Sequence, residues 1–309
     1  MNRLPTHHAA PLLAVLLASA ALLLSTGSAG ASPATASPAT ASPATAAPVR
    51  VATLLPYVAD ALRGLPPSRV RVVAIARRTV EETPPAGVAD LGSAHSPNLE
   101  RLAGSGAQLL VGDDRLHKAL QPKVEAAGVE ALMVRGDSVD GTLEGLERVA
   151  RRVGVEREMA ARIAETRAAI AAQVLRRPVS TLVLFGAPGS FMVVTPQTWL
   201  GDLIAHLGMK NLGTAGVGNP NMPGYLSIND EVMASLSPDL VLVVTHGDPR
   251  QTEEAFHRMV RERAPWKGLA AARYGIHVLD PALFAANPGL RLGDAARSLA
   301  ALAADPRAH

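Results

Sequence analysis

Cysteine is absent from the chain. No disulfide framework is therefore available, although an oxidising compartment would permit one, and no thiol is present to carry the lipid of a bacterial lipoprotein. Aromatic residues are scarce, at 3%. A basic block is missing as well. The formal charge is only +3 and no Lys/Arg run is interleaved with aromatics, which excludes a nucleic-acid-binding face despite a sequence pI near 9.6. The common signatures of catalysis are also wanting: no phosphate-binding loop, dinucleotide fingerprint, serine elbow, His-Glu-x-x-His pair or carboxylate pair spaced for hydrolysis. The sequence therefore predicts no enzyme. Long apolar runs are missing too, apart from residues 9–24, a stretch short for a membrane span.

What is present begins with that one run. Arg3 precedes it and the small residues Ala29-Gly30-Ala31 follow it, the layout of a cleaved secretory signal peptide over residues 1–31. Next come three copies of Ala-Ser-Pro-Ala-Thr, starting at Ala31, Ala36 and Ala41. Such a composition cannot bury a core and reads as an extended linker over residues 32–48. An exported protein without a lipid-bearing cysteine is expected in the periplasm or secreted. From Val49 onward, apolar residues reach the density of a packed fold, with 48% over the whole chain.

Short, near-continuous apolar runs at 70–75, 107–112, 129–134, 181–186, 240–244 and 276–279 predict strands buried on both faces, as in parallel sheets. Helical patterns lie between them, at 97–103, 141–153, 198–207, 229–235 and 253–263. The alternation predicts an α/β fold. Residues 156–176 break the rhythm: without Gly, Pro or any strand signal, they predict one long connecting helix. The expected division is an N-terminal lobe over 49–154, a connecting helix over 155–177 and a C-terminal lobe over 178–305.

Two histidines are placed to meet a ligand. His246 follows the apolar run 240–244 and precedes Gly247-Asp248-Pro249, which puts it just past the carboxyl end of a strand, the edge where open α/β sheets bind ligands. His95 lies in Gly92-Ser93-Ala94-His95-Ser96-Pro97, with Ser96 as the expected helix cap and Pro97 as the first helical residue. Either histidine is equally well a polar loop residue on position alone. His206 and His257 read as solvated helix positions, His117 as exposed in its charged surroundings, and His277 as packed within a strand. Gly186-Ala187-Pro188-Gly189-Ser190 reads as a loop that admits a ligand close to backbone N–H groups.

Several stretches, in this order, resemble the helical-backbone class of ABC-transporter binding proteins. They are Val51-Ala52-Thr53, then Ser96-Pro97-Asn98-Leu99-Glu100-Arg101, the helical 156–176, Trp199-Leu200-Gly201-Asp202, and Leu236-Ser237-Pro238-Asp239. Within that class the segment 184–195, Leu200-Gly201-Asp202-Leu203-Ile204, Thr245-His246-Gly247-Asp248-Pro249 and Trp266-Lys267 are similar to the haem-receptor proteins of Gram-positive iron-regulated surface systems. The resemblance implies two α/β lobes of mostly parallel sheet bridged by one long helix, with limited hinge motion, and capture of haem for an ABC permease/ATPase complex. It implies haem-iron ligation by His246, at the family's histidine position; His95 stands where that family has Met, a departure that either makes the axial pair His95/His246 or removes one ligand. It also implies permease docking through Glu100 and Glu231. Phe191, Met192, Met222, Tyr225 and Leu226 are expected near the cleft. A ferric-siderophore or cobalamin carrier of the same class remains open, as do a bare-metal carrier using Asp248 or Asp280 and a secreted metal-dependent hydrolase.

Overall fold

The computed structural model describes residues 47–77, 82–187, 190–214, 216–218, 222–227, 229–245 and 248–304. The expected leader 1–31, most of the linker 32–48, and His246 with Gly247 lie outside the described residues.

The first sheet is built from β1 (Val49–Thr53), β2 (Val70–Arg77), β3 (Ala89–Ser93), β4 (Ser96–Pro97), β5 (Leu109–Asp113) and β6 (Glu130–Val134), in the spatial order β4-β3-β2-β1-β5-β6. Every pairing is parallel except β3 with the two-residue β4. Its helices are α1 (Pro56–Arg63), α2 (Leu99–Gly104), α3 (Gln121–Ala126) and α4 (Val139–Val153). Ser138 starts α4 by accepting the Gly141 N–H at 3.0 Å, and Gly154 ends it in the left-handed region at φ 73°. Such side-chain caps contribute about 1 kcal/mol each.

The connecting helix α5 spans Glu156–Ala171, shorter than the expected 156–176. The chain leaves it through a tight turn, with Gln173 N–H on the Ile170 carbonyl, and then bonds sideways, with Leu175 N–H on the Leu207 carbonyl at 2.9 Å. A second sheet follows. It comprises β7 (Ser180–Ala187), β8 (Ser190–Val194), β9 (Lys210–Asn211), β10 (Val217–Gly218), β11 (Tyr225–Ser227), β12 (Leu240–Val244) and β13 (Ile276–Val278). β7, β12 and β13 run parallel, whereas β8, β11 and β10 extend the sheet antiparallel. Here α6 (Trp199–His206), α7 (Asp230–Ser235), α8 (Pro249–Glu262), α9 (Pro281–Phe284) and α10 (Leu292–Ala304) complete the element order. Where a Gly/Pro loop was expected from 186, β7 continues to Ala187 and β8 starts at Ser190, paired antiparallel in register from Leu184↔Val193 to Ala187↔Ser190, while Pro188 and Gly189 lie outside the described residues.

One apolar cluster links the two sheets. It runs from Val51, Leu109 and Val111 through the helical residues Leu62, Leu143, Met159, Ile204 and Leu299 to Val183, Leu242 and Val244. Polar bonds cross the same junction. The Asp202 carboxylate accepts the Val139 N–H at 2.7 Å, so a side chain of α6 caps α4. Asn287 Nδ2 donates to the Gly136 carbonyl at 2.9 Å and to Thr142 Oγ1 at 2.7 Å. The strut itself reaches both sides, Arg162 to the Ala61 carbonyl and Thr166 to the Leu290 carbonyl. No helix among the described residues is long and apolar enough to cross a membrane.

Candidate functional site

In the first lobe, His95 sits on the β3–β4 turn, exposed, with its amide donating to Ser93 Oγ at 3.3 Å. The expected helix start shifts by two residues. Ser96 and Pro97 pair antiparallel with Ser93 and Gly92, and Asn98 is the cap, accepting the Arg101 N–H at 2.8 Å. Pro97 has no amide hydrogen, which suits the free edge of a two-residue strand.

His117 is not exposed. The residue is 1% exposed, with Nδ1 2.8 Å from the Asp113 amide and Nε2 3.0 Å from the Ala94 carbonyl. Its charged neighbours Asp113, Asp114, Arg115 and Lys118 suggested a solvated run, but β5 ends at Asp113 and the chain folds straight back. Gly112 makes this possible: a Cβ there would lie 3.0 Å from Met133 Sδ and 3.1 Å from His117 Cβ.

The carboxyl ends of β5 and β6 carry a polar group that the sequence reading missed. Arg115 and Arg135 each lie 2.9 Å from Asp137 Oδ2. Asp137, joined by Asp114 and Asp113, raises the Arg135 guanidinium pKa further above its ordinary value. Tyr57, at the start of α1, has its hydroxyl buried without a hydrogen-bond partner. Burial, then the carboxylates of Asp113 and Asp137, push its pKa far up, so the phenol is a neutral donor.

In the second lobe the antiparallel register places Phe185 opposite Met192 and Val194 opposite Tyr225. These four residues therefore share one face of the sheet. The Phe185 and Tyr225 rings lie 5.2 Å apart between centroids, and burial raises the Tyr225 phenol pKa. Met222 is half-buried in the turn before β11, its carbonyl accepting the Tyr225 N–H at 3.1 Å. Phe191 and half-buried Leu226 point to the opposite face. Phe191 packs at 5.2 Å against Phe256 and at 6.3 Å against Trp266, in the core behind the sheet. His246 lies outside the described residues, but its flanks are held: Thr245 is buried at the end of β12, and Asp248 caps α8 by accepting the Gln251 N–H at 2.9 Å.

Glu100 and Glu231 stand alike, one per lobe. Each is exposed in the first turn of a six-residue helix capped by an asparagine, Asn98 or Asn229, that accepts an amide at 2.8 Å. Two further histidines follow expectation, His277 packed and bonded to the Tyr274 carbonyl and His206 exposed, whereas His257 is half-buried. No group of three or more metal-binding side chains occurs among the described residues.

Comparison with known proteins adds to this geometry. A stretch of 99 residues is 31% identical to the high-affinity heme uptake system protein IsdE of Staphylococcus aureus, covering 32% of each chain. The matched stretch thus spans about a third of that relative's length. Among solved structures, the fold superposes on an ABC transporter substrate-binding protein from Listeria monocytogenes EGD-e, with TM-score 0.69, 21% identity, and coverage of 82% of this chain and 98% of that one. It also superposes on S. aureus IsdE complexed with heme, at TM-score 0.67, 18% identity and coverage of 83% and 99%. A third likeness is the periplasmic heme-binding protein HutB of Vibrio cholerae, at TM-score 0.65, 20% identity and coverage of 83% and 99%. Residues 51–281, which take in strands of both sheets and the helix between them, match the periplasmic binding protein family. The chain therefore belongs to that family, in its class III form with two α/β lobes, and so to a line of binding proteins rather than enzymes.

Proposed function

We propose that the chain is the extracytoplasmic solute-binding protein of an ABC importer and that its cargo is haem. In this reading residues 1–31 direct export, residues 32–48 form a linker, and the lobes are 49–154 and 178–305 about a connecting segment 155–177. Haem iron is held between His95 of the first lobe and His246 of the second. The observation that carries the reading is the exposed imidazole of His95 on its β3–β4 turn, a residue that the sequence resemblance matches to the Met of the haem-receptor family. Imidazole is a strong haem-iron ligand, and replacing a thioether by nitrogen lowers the iron potential, so a His/His pair favours the ferric cargo.

The walls support an amphiphilic ligand. Phe185, Met192 and Tyr225 offer an apolar face from the second lobe, with Met222 at its rim. Arg115 and Arg135 are exposed cations on the first lobe and suit propionates. Glu100 and Glu231 are proposed to dock on arginines of the permease, one lobe on each half of the transporter.

The test is an absorbance titration of the mature protein with ferric haem. A saturable one-to-one Soret shift to a six-coordinate low-spin spectrum is expected. A flat titration overturns the haem reading, and binding of a ferric siderophore, cobalamin or a bare divalent metal in parallel titrations then identifies the cargo class.

A further inference from the structure

The turn that carries His95 has few bonds of its own. Besides the Ser93 hydroxyl, the Ala94 carbonyl is held from a distant part of the chain, by His117 Nε2 at 3.0 Å. The other ring nitrogen, Nδ1, receives the Asp113 N–H at 2.8 Å. An amide only donates and a carbonyl only accepts. The two contacts therefore fix one tautomer: Nδ1 bare, Nε2 protonated, the ring neutral. Burial works in the same direction. It lowers the His117 pKa against the raising influence of the Ala94 carbonyl and the Asp113 carboxylate, and nearby His95 lowers it further.

The seat of the ring is built. The Asp113 carboxylate accepts the Arg115 and Leu116 amides at 2.9 and 3.1 Å, and the Asp113 carbonyl accepts the His117 amide at 2.9 Å. The segment is thereby wound back so that the ring returns to its own strand over the bare Gly112. In the sheet, β1 and β2 lie between β5 and β3. The ring thus joins loops from two strands that are not neighbours, across the carboxyl edge of the lobe.

We infer that His117 is a positioning residue whose Nε2–H holds the Ala94 carbonyl, and through it the His95 turn, where His95 meets the cargo. The inference rests on the haem reading above. A buried histidine with two partners also serves the core, so the test must separate support of β5 from the tether to Ala94. Two substitutions do so. His117→Asn keeps an acceptor near Nδ1 for the Asp113 amide but removes the donor to Ala94. His117→Gln keeps a donor near Nε2 and removes the acceptor.

Wild type and both variants are compared in two ways: amide exchange of residues 93–98 in the ligand-free protein, and the spectrum and dissociation rate of bound ferric haem. His117→Asn is expected to speed exchange of the turn and haem release by about tenfold each and to add a high-spin band, while His117→Gln restores both. Equal effects of the two variants, or none, overturn the inference while leaving haem binding by wild type intact. Failure of wild type to bind haem is a different result: it removes the haem reading, and the role of His117 toward iron goes with it.

Discussion

The two lobes present loops at the carboxyl edge of a parallel sheet, but they support those loops with different chemistry. Behind the first sheet the core is aliphatic, with Leu54, Leu91, Leu102, Leu110 and Val124. Behind the second it adds an aromatic group to its aliphatic residues, with Phe256, Trp266 and Phe191 in edge-to-face and tilted contact. The carboxyl edges differ as well. The first lobe carries the Asp113, Asp114 and Asp137 carboxylates with exposed Arg115 and Arg135, and the buried imidazole of His117 bonds to Ala94 on its β3–β4 turn. The second carries half-buried Phe185, Met192 and Tyr225, with Phe185 and Tyr225 packed against the cluster that links the two sheets. In the proposed function these residues form one polar and one apolar wall, which suits a ligand that is itself two-sided and separates haem from a bare ion.

The contrast in the cores predicts the largest effect on stability. Phe256→Ala is expected to cost about 3–5 kcal/mol, because a fully buried ring with two aromatic neighbours leaves a cavity that cannot collapse. Leu102→Ala in the aliphatic core is expected to cost about 2–5 kcal/mol, toward the lower end. Denaturant unfolding checks both, and a larger cost for Leu102→Ala reverses the comparison. Next is the bond between the lobes. Asp202→Ala removes the carboxylate that caps α4 from α6 and is expected to cost about 1.5–3 kcal/mol. An unchanged midpoint indicates that the junction rests on the apolar cluster and the Asn287, Arg162 and Thr166 bonds.

A smaller effect separates the lobes by pH. The folded pKa of His117 lies below its ordinary 6.5, so below that value the unfolded chain binds this proton more readily than the fold. Its stabilising contribution is complete above about pH 6.5 and declines as the pH falls through the folded value. His117→Gln is expected to flatten that part of the stability–pH curve, and a parallel curve for the variant contradicts the assignment. The smallest effects concern docking. Glu100→Ala and Glu231→Ala are expected to change unfolding free energy by less than about 1 kcal/mol, the size of a helix-dipole contribution, and to leave haem affinity unchanged. Haem transfer to permease-containing vesicles should fall in each, and in both together by more.

The sequence was legible where burial is symmetric. The run 240–244 is continuous because parallel strands inside α/β layers meet apolar neighbours on both faces, and β12, buried at every residue, lies there; the run 107–112 marks the equally buried β5 in the same way. It was opaque at the edges. β3 has one large apolar residue, Leu91, and β8 follows Pro188-Gly189, which reads as loop until its register with β7 is known. The connecting helix was overlong in the reading because residues 172–176 keep helical composition, while Leu175 takes its bond from the next helix. His117 was misjudged for a related reason. Its sequence neighbours face water, and only the end of β5 and the missing side chain of Gly112 decide where the ring goes. Tyr57 and the Asp137 group carry no motif, since they meet only when the ends of β5 and β6 are brought beside α1.

The central claim is that each lobe supplies one iron ligand. The most direct measurement is the ferric-haem spectrum and affinity of wild type, His95→Ala and His246→Ala side by side. The account predicts a six-coordinate low-spin wild type, loss of that spectrum in both variants, and affinity lowered by about a hundredfold in each. A variant that keeps the wild-type spectrum removes its histidine from the iron and contradicts the two-lobe account.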